Sequence, residues 1–402
     1  MRIAIINDFC SRNGGAAAVA IDSAIGLAKA GHEIRFVGMV GPVDHGLTAE
    51  ARVRVYCANA ITFLDDSRRL GAATRGLWSR GAREFVRAAL SDWIDLPAII
   101  HVHGWVKAFS PSIFSEFLER RLWQTVITIH DYFLACPNGG FVDYKKTEIC
   151  HRNALSYDCL VCNCDSRSYA QKLWRFGRGL IQTYGLDIAS RVDGLVGVSH
   201  FALDKLRPFL KSDVPLAVVR NPVTLERPHL LGGNPDGPLL YVGRLSPEKG
   251  LDLALTAARQ LQRKLVVLGD GPLRVKLSLE YPEVEFRGWT RPLEVHAAMM
   301  SSAALVFPSR WYETNGLVVL EAMAHGLPVI VADGCAAIEF VSEGSTGRHF
   351  QIGSVESLTR VLGEVLSHQG PKLGAAAAEW YWKDPWTQTA HVVELEQFYV
   401  RL

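Results

Sequence analysis

Short apolar runs and longer mixed stretches alternate along this chain. Runs at 2–7, 33–37, 98–103, 125–130 and 194–199 have the length and make-up of strands buried on both faces. An Ala-rich stretch, 16–30, separates the first two and is closed by Gly31-His32, since glycine suits the left-handed residue that ends a helix. Strand, glycine loop, helix, strand predicts a βαβ unit and hence a parallel sheet. The rhythm breaks between 220 and 238, where Arg220-Asn221-Pro222 and Asn234-Pro235-Asp236-Gly237-Pro238 predict a linker. A second series of strands follows at 239–242, 265–268, 284–286, 304–307 and 328–331, with a helix over 250–260. The segment 385–402 carries apolar residues at helical spacing and is expected to pack back on the body. The pattern predicts an α/β chain with two doubly wound domains, 1–220 and 221–384. Ligands of such sheets sit at the carboxyl ends of the strands, which directs attention to the loops after Asn7, His130, Val242, Gly269 and Phe307.

The densest chemistry lies in 308–331. A strand leads through a loop with Glu313, Asn315 and Gly316 into a helix over 317–324, which His325-Gly326-Leu327-Pro328 ends. Unpaired N–H groups at a helix N-terminus attract anions, phosphate above all. Glu313 and Glu321, eight positions apart there, are suited to accept hydrogen bonds from the hydroxyls of a sugar or ribose. Gly243-Arg244-Leu245-Ser246-Pro247-Glu248-Lys249-Gly250 also joins a strand to a helix, and its two cations suit a diphosphate. Gly14-Gly15 ends a strand and opens a helix but lacks the spacing of a Rossmann or P-loop fingerprint. It is either a tight turn or a place where backbone N–H groups touch phosphate. His130 closes the strand 125–129 and is expected in the cleft, whereas His101 and His103 are assigned structural roles.

Composition adds constraints. The 402 residues are 49% hydrophobic and 21% charged, with a net charge of +2; this is a globular profile without the basic excess of a nucleic-acid binder. Polar and acidic residues arrive after six positions, and no apolar run approaches the roughly 20 residues of a membrane span. A cytoplasmic protein is expected, and its eight cysteines are then free or metal-bound. Five of them, Cys136, Cys150, Cys159, Cys162 and Cys164, fall within 136–164. Cys159-x-x-Cys162 has the spacing of a zinc knuckle, and Cys136 and Cys150 would complete four thiolates; the alternative is a set of buried thiols in an irregular insertion. Arg68, Arg69, Arg75, Arg80, Arg83 and Arg87, with Leu70, Leu77, Trp78, Phe85 and Val86, form either a basic amphipathic helix for the inner membrane face or a solvated helix surface.

The Gly243–Gly250 loop and Glu313-x7-Glu321 in its Gly-Leu-Val-Val-Leu-Glu-Ala-Met-Ala setting resemble the retaining glycosyltransferases of family 4. That resemblance implies the GT-B fold, two Rossmann-like domains facing an interdomain cleft. It implies a nucleoside-diphosphate sugar donor, UDP- or GDP-linked, no catalytic metal, and a glycan or lipid-linked glycan acceptor in polysaccharide synthesis. It also implies roles. Arg244 and Lys249 would neutralise the diphosphate with the backbone of Gly316 and Leu317, and Gly14-Gly15 would lie against it. Glu313 would hold donor-sugar hydroxyls, Glu321 the ribose, and His130 the sugar near the reacting carbon. Asn315 departs from a family position that is often aromatic or Pro, and would tune the donor pocket. A subset of polysaccharide-building relatives resembles the Cys-rich stretch, which implies a structural zinc stapling an acceptor loop. The competing readings are a metal-binding or regulatory protein on an inactive GT-B frame and a nucleotide-sugar epimerase of that fold.

Overall fold

The apolar runs form two parallel sheets. In the computed structural model, which describes residues 1–210, 213–228 and 232–402, the first strands are β1 (Arg2–Phe9), β2 (Glu33–Val40), β3 (Val53–Cys57), β4 (Ala98–Val102) and β5 (Trp123–Ile129). A small antiparallel hairpin, β6 (Val142–Asp143) and β7 (Glu148–Ile149), precedes β8 (Gly194–Gly197) and β9 (Leu216–Val218). Apart from the hairpin these strands make one seven-stranded sheet in the order β3-β2-β1-β4-β5-β8-β9. The second series is β10 (Leu239–Val242), β11 (Leu265–Leu268), β12 (Glu285–Gly288), β13 (Ala304–Phe307), β14 (Val329–Ala332) and β15 (Arg348–Phe350), in the order β12-β11-β10-β13-β14-β15. β3, β9 and β15 escape a periodicity search because edge strands are half covered: Val53-Arg54-Val55-Tyr56-Cys57 alternates with a charge.

Two compact units result. One comprises Met1–Gly140, His151–Pro222 and Thr387–Leu402, the other Phe141–Cys150 and Val223–Trp386. The segment Phe141–Cys150 therefore groups with the second unit, not with the domain 1–220 in which the cysteine insertion was placed. Residues 229–231 of the expected linker lie outside those described.

In the first unit Ile3, Ile5, Ile34 and Phe36 pack against Ala20, Ile21, Ala24 and Leu27 of the helix Gly15–Lys29. The helix Gln388–Tyr399 lies on the same helix, adding Val392, Leu395 and Phe398. A Cβ on Gly26 would meet the Val392 side chain at 2.6 Å, so glycine sets how closely the two helices approach. Arg220 Nε donates to Glu394 at 2.6 Å, and Ser23 Oγ lies 2.7 Å from His391 Nε2.

In the second unit both sheet faces are buried, Leu240, Val266, Leu305 and Val329 on one and Leu239, Val267, Ala304 and Ile330 on the other. That is why its strands read as unbroken apolar runs. At their carboxyl ends the loops touch backbone to backbone. A Cβ on Gly250 would lie 2.0 Å from the Pro308 carbonyl oxygen, one on Gly269 2.0 Å from that of Gly243, and one on Gly271 2.4 Å from that of Leu245. Gly250 also holds φ +67°, a left-handed value.

The Gly250→Ala variant should therefore lose about 2–3 kcal/mol from overlap and left-handed strain. Gly363→Ala, in a helix with its nearest neighbour at 3.9 Å, should gain up to about 1 kcal/mol from lower unfolded-state entropy. Urea titration of the two variants checks this; equal midpoints would show that the loop contact is slack.

Candidate active site

Two of these loops bring the expected groups of the second unit together. The loop after β10 turns through a 3-10 turn, Pro247–Lys249, and delivers Lys249. The loop after β13 carries Ser309, Trp311 and Glu313. Lys249 Nζ donates to Glu313 Oε2 at 2.5 Å, Ser309 Oγ to the same oxygen at 3.0 Å and Trp311 Nε1 at 2.8 Å. The ammonium also sits 5.1 Å from the Trp311 ring centroid, a cation–π distance. Lys249 and Glu313 are 21% and 15% exposed, so the pair is shielded enough for each charge to depend on the other. Oε2 is saturated by three donors, whereas Oε1 has no partner among the described residues. The carboxylate is thus fixed through one oxygen and offers the other.

Beyond it the helix Leu317–Ala324 begins at Gly316, with φ 129°, no side-chain cap and no acidic residue in its first turn. Asn315 is buried at this entrance and Leu317 half-buried. Glu321 is half-buried and makes no hydrogen bond or ion pair among the described residues. Burial lifts its pKa from 4.5 to about 7, and its charge adds to the burial that pushes Tyr381 up to about 12. Arg244 is exposed, with its carbonyl held by Tyr241 at 3.0 Å and no ion-pair partner for its guanidinium among the described residues. Sequence reasoning singled out Lys249 and Glu313 separately and missed that they join. Ser309 and Trp311, which hold Glu313, were signalled only by their place in the same loop.

In the first unit, Gly14 caps the helix Gly15–Lys29 at φ 91°, with no side-chain cap and no acid in the first turn. A Cβ there would meet nothing within 4 Å, so the glycine is used for its backbone conformation and not for a close contact. The loop after β4 is pinned by the buried Asp8, which accepts N–H bonds from Lys107, Ala108 and Phe109 at 3.0, 2.8 and 3.1 Å. His130 Nε2 lies 2.9 Å from His103 Nδ1, and their rings stack at 5.2 Å. Behind them His101 joins Thr128 at 2.6 Å and Tyr399 at 2.5 Å. Burial lowers all three imidazoles, His101 and His130 to about 3, so His130 is a neutral hydrogen-bonding group. Of the two histidines assigned structural roles from sequence, His103 backs His130 directly and His101 stands behind His103. Asp131, to which the sequence assigned no role of its own, accepts from the Phe133 N–H at 3.0 Å and is raised to about 6 by burial.

A family model described as Glycosyltransferase Family 4 matches residues 13–227, and one described as Glycosyl transferases group 1 matches 232–379. The chain belongs to glycosyltransferase family 4. Among curated relatives, the chain is 35% identical to a sulfoquinovosyl transferase of Arabidopsis thaliana, over 43% of this chain and 35% of that protein. It is 40% identical to a GDP-mannose-dependent alpha-mannosyltransferase of Mycolicibacterium smegmatis, over 31% and 33%. The matched stretch thus spans about a third of each of these relatives. Solved structures share the GT-B fold of two Rossmann-like parallel-sheet domains. Sucrose-phosphate synthase from Thermosynechococcus elongatus has a TM-score of 0.72 at 17% identity, covering 100% of this chain and 98% of that one. An Anabaena protein solved with UDP and glucose has 0.65 at 15%, covering 100% of both.

Two expectations change. Among the described residues, no three His, Cys, Asp or Glu side chains are grouped to hold a metal ion. The four-thiolate centre of Cys136, Cys150, Cys159 and Cys162 is not assembled there. Cys159 Sγ instead accepts from the buried Lys172 Nζ at 3.2 Å, and Cys164 Sγ from Asn138 Nδ2 at 3.2 Å. The arginine stretch is two helices, Arg69–Leu77 and Arg80–Ala89, broken where Ser79 caps the second. Arg75 pairs with Asp66, and Arg83, Arg87 and Arg120 surround the buried Glu116. Arg68 also lies 3.7 Å from Asp66, so four of the six cations are committed to the protein itself. No helix among the described residues is long and apolar enough to cross a membrane.

The state of Glu321 makes a pH prediction. Its folded pKa is raised, from 4.5 to about 7, so it has no effect below the unfolded value and costs stability as pH rises through the folded one. Glu321→Gln should melt higher than wild type at pH 8, with the gap closing towards pH 4.5. Thermal denaturation across that range checks it; a gap independent of pH would refute it.

Proposed function

We propose that the transferase is a retaining enzyme that moves a sugar from a nucleoside-diphosphate donor, UDP- or GDP-linked, to a hydroxyl of a glycan or lipid-linked glycan. The observation that carries this reading is Glu313, held by Lys249, Ser309 and Trp311 through one oxygen with the other open. A carboxylate fixed in this way accepts a sugar hydroxyl without reorganising. Lys249 neutralises it and keeps further N–H capacity for a phosphate oxygen. Arg244 and the N–H groups at Gly316 and Leu317 supply the remaining positive field for the departing diphosphate. Glu321 takes the ribose hydroxyls, which relieve its unpaired burial. The uncapped end at Gly14-Gly15 and the neutral His130 serve the diphosphate and the donor sugar from the first unit. No side chain is assigned as a nucleophile; in front-face transfer the leaving phosphate accepts the acceptor's proton, which matches retention. Printed names of relatives, a GDP-mannose-dependent mannosyltransferase and a sulfoquinovosyl transferase, support sugar transfer in glycan or glycolipid synthesis. Arg69 and Arg80, with no ion pair among the described residues, and the exposed Leu70 offer a surface for a lipid-linked acceptor at a membrane face.

Glu313→Ala should lower kcat by about 10²–10³-fold, the usual loss on removing one preorganised polar group, while nucleotide still raises the melting point. Lys249→Ala should weaken both transfer and nucleotide binding. Donor-consumption assays with UDP-, GDP- and ADP-sugars, beside thermal shifts with UDP, GDP and ADP, check this; full transfer by both variants would overturn the reading.

A further inference from the structure

The amino ends of the first unit's strands frame a second concavity, of about 720 Å³, whose lining includes Arg2, Glu33, Arg52, Ile99, Arg121 and Tyr399. Arg2 opens β1, Glu33 opens β2, Arg52 precedes β3 and Arg121 precedes β5. Gly14-Gly15 and His130 follow the opposite ends of such strands, and an eight-residue strand such as β1 separates its two ends by roughly 25 Å. This hollow is therefore separate from the site described above.

Its chemistry is that of an anion site with an apolar floor. Three arginines and one glutamate line it. Arg2 Nε lies 3.4 Å from Glu33, and among the described residues Arg52 Nη1 donates only to the Gly31 carbonyl, at 3.3 Å. Arg121 makes no ion pair among the described residues. Arg52 and Arg121 thus stand without a carboxylate partner on opposite margins of the hollow, four strand spacings or roughly 19 Å apart along the sheet, and an anion lying between them would meet a guanidinium from each side. The volume exceeds what inorganic phosphate fills and lies in the range of small-molecule sites, leaving room for a body against Ile99 and Tyr399.

The floor is also wired to the other end of the sheet. The Tyr399 hydroxyl lies 2.5 Å from His101 Nδ1, His101 contacts His103 with ring centroids 4.3 Å apart, and His103 Nδ1 lies 2.9 Å from His130 Nε2. His101, His103 and Tyr399 are at most 4% exposed, so a shift of one ring displaces the next.

We propose that this concavity binds the phosphomonoester of a sugar-sized metabolite, and that Tyr399 passes its occupancy through His101 and His103 to His130. The binding half stands on the cavity alone; the coupling half rests on the role proposed for His130.

Glucose 6-phosphate, glucose and inorganic phosphate serve as probes on the full chain. Glucose 6-phosphate should raise the melting midpoint by about 2 °C at tenfold excess over its Kd, phosphate less and glucose not at all. Arg52→Ala and Arg121→Ala, both at exposed positions, should each weaken that binding about tenfold in calorimetry, the loss of one charge-assisted pair. Lys249→Ala should leave it unchanged, which separates it from occupancy of the donor site. No shift, or equal binding by the two arginine variants, overturns the site. In transfer assays saturating glucose 6-phosphate should change the rate at least about twofold, within ordinary coupling energies. Tyr399→Phe should bind normally and lose that response; a wild-type response overturns the coupling. Absence of transfer under every condition would overturn the proposed function and leave the calorimetric result standing.

Discussion

Backbone contact between loops is the constraint on which the second unit's chemistry depends. Lys249 and Glu313 sit 64 positions apart, at the ends of adjacent strands β10 and β13. They meet because Gly250 lets one loop lie on the Pro308 carbonyl of the other. Any side chain there would part the loops and leave a shielded carboxylate and a shielded ammonium each without its partner. Losing one member of such a pair costs more than the pair itself contributes. The glycines are therefore electrostatic elements as much as steric ones.

The two units handle charge in opposite ways. The first keeps its buried histidines neutral and passes hydrogen bonds among them, so His130 is oriented without carrying charge. The second keeps a charged pair at Lys249 and Glu313 and, at Glu321, a carboxyl whose burial is not offset by any partner among the described residues. A group held in that condition destabilises the empty protein and gains most when hydroxyls arrive. Stability is surrendered at the position where binding is needed.

Much of this was legible in the chain. Runs buried on both faces announced nearly every central strand, and Gly-Leu-Val-Val-Leu-Glu with the Gly243–Gly250 loop marked the two elements that hold Lys249 and Glu313. What stayed hidden depends on contacts between distant residues. The pairing of His103 with His130 links two strands 27 positions apart, and isolated histidines in apolar runs carry no sign of it. Edge strands such as β3 were missed because half-covered residues alternate irregularly. Cysteine spacing pointed to a metal, but Lys172 and Asn138 lie at two of the thiols, and neither advertises that role in sequence.

The helix Gln388–Tyr399 closes the core of the first unit although the whole stretch Val223–Trp386 belongs to the second. During synthesis the first unit therefore waits, with Asp22, Ser23 and Gly26 uncovered on that side, until more than 160 further residues have left the ribosome. The second unit can finish folding before the first does. The chain matures from its middle outward, and damage near residue 395 is felt by the part that was made first.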